Sequence, residues 1–246
     1  MTAPEIKEEF NLRYNNTLEG APGLDTFEIS SYLTIAQEQY VKNMYDASKD
    51  PSVSFELNEK ARRVLNELVK DEKISSQASS TRGLVDESIM YELSNDAMYI
   101  VLETATIDNS AKPSIHGKVI PVLPTTHDEF MLSYRNPFKR PNGNKAWRLD
   151  ISKENSKTTV EIVSFENISK YNVRYISYPS PIIVGNLSSA ADVAGLGLTI
   201  QGQVAEATCK LAELSHREII NIAVENAVLD YRDGTLQARM TLDSRV

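Results

Sequence analysis

The apolar residues of this chain change period twice, from near 3.6 to two and back, and few folds accept that order. In GLDTFEISSYLTIAQEQYVKNMYDA, Ile29, Leu33, Ala36, Tyr40 and Met44 recur at steps of four, three, four and four. That spacing lines one helical face. Asp25 and Glu28 have the spacing of a capping box, with Leu24 and Ile29 placed as its hydrophobic staple. A helix is predicted over 25–46. FELNEKARRVLNELVKDEK repeats the pattern with Leu57, Ala61, Val64, Leu65 and Leu68, predicting a second helix over 55–70 after the turn SKDPS.

From about residue 83 the period is two. SIMYEL, MYIVLETATI, KVIPVLP, TTVEIVSF and KYNVRYISY are short, rich in β-branched and aromatic residues, and separated by polar turns. They read as an antiparallel meander. A short helix near 126–135 interrupts it, opened by Thr126 and Glu129 and stopped by Pro137. PSPIIVGNL reads as an extended edge segment, because its prolines cannot donate to a ladder. The helical period then returns in ELSHREIINIAVENAVLDYRDG, with Ser215 and Glu218 as capping box, Leu214 and Ile219 as staple, and Gly234 as stop. Its stripe is Ile220, Ala223, Val224, Ala227 and Tyr231.

An apolar stripe needs another to cover it, so the returning helix is expected to pack on the first two. The fold class is therefore α+β: a helical bundle of N- and C-terminal helices with an inserted antiparallel β lobe. The expected division is 1–82 for the helical hairpin, 83–205 for the β lobe, and 206–246 for the returning helix. Leu33, Tyr40, Leu65, Ala223 and Ala227 are the expected bundle anchors, and Trp147 the anchor of the lobe.

Composition excludes more than it selects. No run approaches the roughly eighteen apolar residues that span a bilayer, so no membrane partner is expected. The acidic start MTAPEIKEEF does not resemble a signal peptide. A single cysteine, Cys209, leaves no intramolecular disulfide and no cysteine-based zinc cluster. Folding in a reducing cytoplasm is expected. Three scattered histidines, His116, His127 and His216, propose no metal site, and Asp128 and Glu129 read as first-turn residues favoured by the helix dipole. GLGLTIQG lacks the lysine and the strand-then-helix context of a phosphate loop, and no GxSxG elbow occurs. No catalytic constellation, metal or cofactor is expected.

The sharpest local feature is NPFKRPNGNKAWRLD, residues 136–150. Within a chain of net charge -8, Arg135, Lys139, Arg140, Lys145 and Arg148 succeed one another with no acid between them. Arg140-Pro141-Asn142-Gly143 fits a type I turn with Gly143 left-handed, closing a bulged hairpin. Trp147, Leu149 and Ile151 then face one way, and Arg148 and Asp150 the other. Such a loop is a solvated tip, a contact for an acidic protein, or a contact for DNA phosphate. Its defined shape favours the protein contact, through Arg135, Lys139, Arg140, Asn142, Lys145 and Arg148.

PGLDTFEISSYLTIAQEQYVKNMY, KVIPVLPTTHDEFMLSYRNPFKRPNGNKAWRL, YNVRYISYPSPIIV and CKLAELSHREIINIAVENAV, in this order, resemble a virion structural protein of crAss-like tailed bacteriophages. KRPNGNKAWRL and YISYPSPII carry most of the specificity. The resemblance implies a head-to-tail connector or tail ring subunit of portal-adaptor-like fold. It further implies a ring of the chain itself, dodecameric to match a portal, with the portal and neighbouring tail or ring proteins as partners. Genome DNA would pass through the lumen without sequence-specific binding. The location implied is the tail or head-tail junction of the virion, with assembly in the host cytoplasm. The alternative is a stand-alone protein-binding or scaffold module in the infected host cytoplasm. A packaged nuclease or hydrolase would need a carboxylate or histidine cluster that only folding brings together.

Overall fold

The computed structural model describes residues 1–18, 20, 22–46, 59–75, 88–154, 157–193 and 195–243, without side chains for 46, 152–154, 157 and 233–243. The chain divides into two units, one of residues Met1–Leu68 and Pro179–Val246, the other of Val69–Tyr178. The class is α+β.

The first unit is helical. It opens with α1 (Ala3–Thr17), a helix absent from the expectation. Thr2 and Glu5 form its start, the Thr2 amide donating to Glu5 Oε2 at 2.8 Å, and Ala3, Ile6, Phe10 and Tyr14 are buried along one face. α2 (Thr26–Asp46) begins as expected: the Asp25 amide donates to Glu28 Oε2 at 3.0 Å, and the Glu28 amide to Asp25 Oδ1 at 2.7 Å. α3 (Glu59–Leu65) closes in a 3-10 turn over Asn66–Leu68. Residues 55–58 of the expected second helix lie outside the described residues, and its end is corrected, since Val69 and Lys70 are strand.

α5 (Glu213–Asp243) is longer than expected at both ends. Because it starts two residues before Ser215, that serine is not its cap but a buried first-turn residue, and Leu214, expected as the staple, is 89% exposed. Gly234 does not stop it. α5 packs on α1 and α2, and α3 on α2. Leu33, Tyr40, Leu65, Ala223 and Ala227 are buried in this unit, whereas Tyr231 stands partly exposed.

Residues 179–205, expected in the β lobe, belong to the helical unit. The reason lies on α2, where Ser30 and Thr34 sit one turn apart. Thr34 Oγ1 accepts from the Ile182 amide at 3.2 Å, and Ser30 Oγ from the Val184 amide at 3.1 Å. PSPIIVGNL is extended, but these hydroxyls stand in for a sheet edge. Gly185 fits closely there, since a Cβ would come 3.2 Å from the Thr26 methyl, a tight contact that one of the two would have to relieve. Further along, Asp192 accepts from the Thr26 amide and hydroxyl, both at 2.7 Å, at the positive end of α2.

The second unit is a seven-stranded sheet: β1 (Val69–Ile74), β2 (Ser88–Ser94), β3 (Ala97–Ile107), β4 (Val119–Pro124), β5 (Ala146–Glu154), β6 (Lys157–Val163) and β7 (Ile168–Ser177). A short helix, α4 (His127–Ser133), joins β4 to β5. The spatial order is β1-β7-β3-β4-β5-β6-β2. The expected antiparallel meander is corrected: β2 pairs with β6 and β7 with β3 and β1 rather than with their sequence neighbours β3 and β6, and β4 and β5 are parallel, pairing Val122 with Ala146 and Pro124 with Arg148. A parallel pair requires a crossover rather than a hairpin. The sheet curls, and the Ser94 amide of β2 reaches Glu72 Oε2 of β1 at 3.4 Å. One apolar cluster inside draws residues from all seven strands, among them Ile74, Leu93, Ile107, Ile120, Ala146, Ile162 and Val173.

Candidate assembly interface

The crossover from β4 to β5 carries the basic stretch, and its shape follows from four residues. Thr126 caps α4, its hydroxyl accepting from the Glu129 amide at 3.2 Å. Phe130 and Tyr134, four apart, fall on the inner face and meet at a tilt, with 5.1 Å between centroids. Phe130 meets Trp147 edge-on at 6.2 Å. With Leu149 and Val163 these rings form a small core that seats α4 on the outside of the sheet. The exposed side mixes the polar His127, Asp128 and Glu129 of the first turn with two apolar residues, Met131 72% and Leu132 83% exposed.

After α4, Asn136 organises the chain. Its Oδ1 accepts from the Phe138 amide at 3.0 Å, and its carbonyl from the Lys139 and Arg140 amides at 3.1 and 2.9 Å. Phe138 is thereby held outward at 92% exposure. The turn that follows is not the expected one. Asn142 and Lys145 pair through both backbone groups at 3.1 and 3.2 Å, so Gly143 and Asn144 form the tip, and Gly143 does not adopt positive φ. Asn142 Oδ1 accepts from the Asn144 amide at 2.9 Å, and Lys118 Nζ donates to Asn144 Oδ1 at 2.6 Å. Pro141 is buried beneath.

The expected basic residues separate into three groups. Arg135 and Lys139 are exposed. Arg140 lies over the Phe165 ring at 5.7 Å and Lys145 over Trp147 at 5.9 Å, so both cover aromatic faces. Arg148 is corrected. At 9% exposure it points into the sheet, where Nη1 donates to Glu103 Oε2 at 2.8 Å and Nη2 to Asp150 Oδ2 at 3.4 Å. The Tyr171 hydroxyl donates to the other Glu103 oxygen. Burial pushes the Glu103 carboxyl up, with the Arg148 guanidinium opposing, and burial beside Glu103 raises Tyr171. Trp147 and Leu149 are buried on the opposite face as the alternation requires, but Ile151 is half-exposed where the β5–β6 register shifts between Asp150 and Ser152.

His127 Nε2 lies 3.1 Å from the Asp150 carbonyl, and His216 Nε2 2.8 Å from that of Leu211. Burial pushes the Cys209 thiol up to about 11, far from a thiolate nucleophile. Among the described residues no three His, Cys, Asp or Glu gather as a metal site, and no helix is long and apolar enough to cross a membrane.

The crossover thus presents both apolar and cationic side chains, and comparison with known proteins gives the family to which the chain belongs. The family model described as phage tail ring protein 3/4 matches residues 1–239. Ring protein 3 of Bacteroides phage crAss001 is 33% identical over 231 residues, covering 93% of this chain and 96% of that protein. Ring protein 4/5 of the same phage is 33% identical over 251 residues, covering 100% and 99%. The chain belongs to the phage tail ring protein 3/4 family, of crAss-like phages. Its role is that of a structural tail ring protein of the virion.

Proposed function

We propose that the chain forms a closed, twelve-fold ring in the head-to-tail connector, docks on the portal or on a neighbouring tail ring, and surrounds the channel through which DNA leaves. The observation that carries this reading is the crossover at 126–145. It fixes Arg135 and Lys139 on a braced loop, with Arg140, Asn142 and Lys145 beside them, within an acidic chain. Cations displayed on an ordered loop suit a carboxylate-bearing neighbour, because ordering has been met before contact. The net charge of -8 suits a DNA channel as well, since carboxylates repel phosphates and let the genome slide. A portal-adaptor-like fold is supported by the division of the chain, in which two helical segments distant in sequence form one unit and the strands lie between them in sequence.

The test is charge reversal. Arg135→Glu with Lys139→Glu is expected to leave the thermal unfolding of the isolated chain unchanged and to reduce its incorporation into particles. Normal incorporation at physiological salt would show that these side chains are only solvated.

A further inference from the structure

We propose that the ring is closed by a knob-in-pocket contact in which Phe138 of one copy enters a pocket on the helical unit of the next; the proposal rests on the ring reading above. The knob is a phenylalanine at 92% exposure, flanked by Lys139 and Arg140. Three amides held by Asn136 fix its backbone, so little further order is lost when it docks. The pocket is a cavity of about 450 Å³ floored by Tyr40, Val64 and Ala212, with Leu214 standing 89% exposed at its edge. Two apolar side chains so exposed, one on each unit of the chain, need cover, and each supplies what the other lacks.

Charge favours the same pairing. The pocket is lined by Glu59 and Glu218 and also by the Arg63 and Lys60 they meet, at 2.6 and 3.1 Å. A carboxylate has about four acceptor sites, so each has capacity for a further cation. Glu213, beside Leu214, is 90% exposed, and its ion pair among the described residues is with the N-terminal amine at 3.8 Å. Across the whole chain, 26 Lys and Arg stand against 34 Asp and Glu; without Arg135, Lys139, Arg140 and Lys145 the balance is 22 against 34. A second copy is therefore an acidic partner for this loop. Knob and pocket are different surfaces, so the contact is heterologous, and a heterologous contact whose rotation closes generates a ring.

The experiment uses phage particles assembled with a mixture of two full-length variants, Phe138→Cys and Leu214→Cys, under mild oxidation. A disulfide-linked dimer containing one chain of each variant is expected, and Phe138→Ala alone should lower incorporation about tenfold while its isolated melting curve stays unchanged. Dimers joining two Phe138→Cys chains would replace the proposed contact by a two-fold one. Absence of cross-links together with normal incorporation of Phe138→Ala would overturn it outright while leaving the ring intact. A wild-type chain missing from the particles would remove the ring reading itself.

Discussion

Trp147 and Arg148 are neighbours in sequence and opposites in surroundings. Trp147 lies under α4 with Phe130, and Trp147→Ala is expected to cost about 3–5 kcal/mol, measured by denaturant unfolding, as a large core side chain is lost. Arg148 lies inside the sheet against Glu103. Arg148→Ala should cost a similar amount, about 3–5 kcal/mol, because it leaves the Glu103 carboxylate buried without its cation. Arg135→Glu with Lys139→Glu should change unfolding by no more than about 0.5 kcal/mol. The alternation of β5 was legible and placed the two residues on opposite faces. That the face of Arg148 is internal was not, because its partners Glu103 and Tyr171 come from strands whose register no local pattern reveals. Phe138 carries a signal of its own within the basic stretch, a phenylalanine between proline and lysine in a polar loop.

At the scale of elements, helices with caps and stripes were readable and the elements that break those rules were not. α1 shows both signals, Thr2 with Glu5 and the spacing of Ile6, Phe10 and Tyr14, although its charged, acidic sequence gives only a weak apolar stripe. β1 reads VKDEKI, a charged sequence that continues the preceding helix on propensity; its strand form is sustained by pairing with β7 and by Arg174 clasping Asp71 at 2.7 and 3.1 Å. The parallel β4–β5 pair was hidden because the Asn-Gly tip mimics a hairpin turn. The clasp of Asp192 on the start of α2 joins residues 166 apart in sequence, beyond any local rule. It gives a pH prediction. Hydrogen bonds from Thr26 hold the Asp192 carboxyl below the usual carboxylate range. Its contribution is therefore present above the unfolded pKa of about 3.9 and is lost as pH falls through the lower folded value. Asp192→Ala should cost about 0.5–2 kcal/mol at neutral pH, as helix-capping residues do. Melting curves of the variant and the parent should converge below about pH 4.

For the whole molecule, the helical unit and the curled sheet supply two distinct faces to one chain, and a ring needs two. The helical unit is built of distant segments, so Leu65→Ala should cost about 2–5 kcal/mol and weaken the seating of α3 on α2. The reading of the whole stands or falls with assembly. The most direct measurement is electron cryomicroscopy of purified phage particles, with this chain traced into the density of the tail. A closed ring of twelve copies around the DNA channel is the result expected. Particles lacking the chain, or carrying it as scattered single copies, would contradict the account.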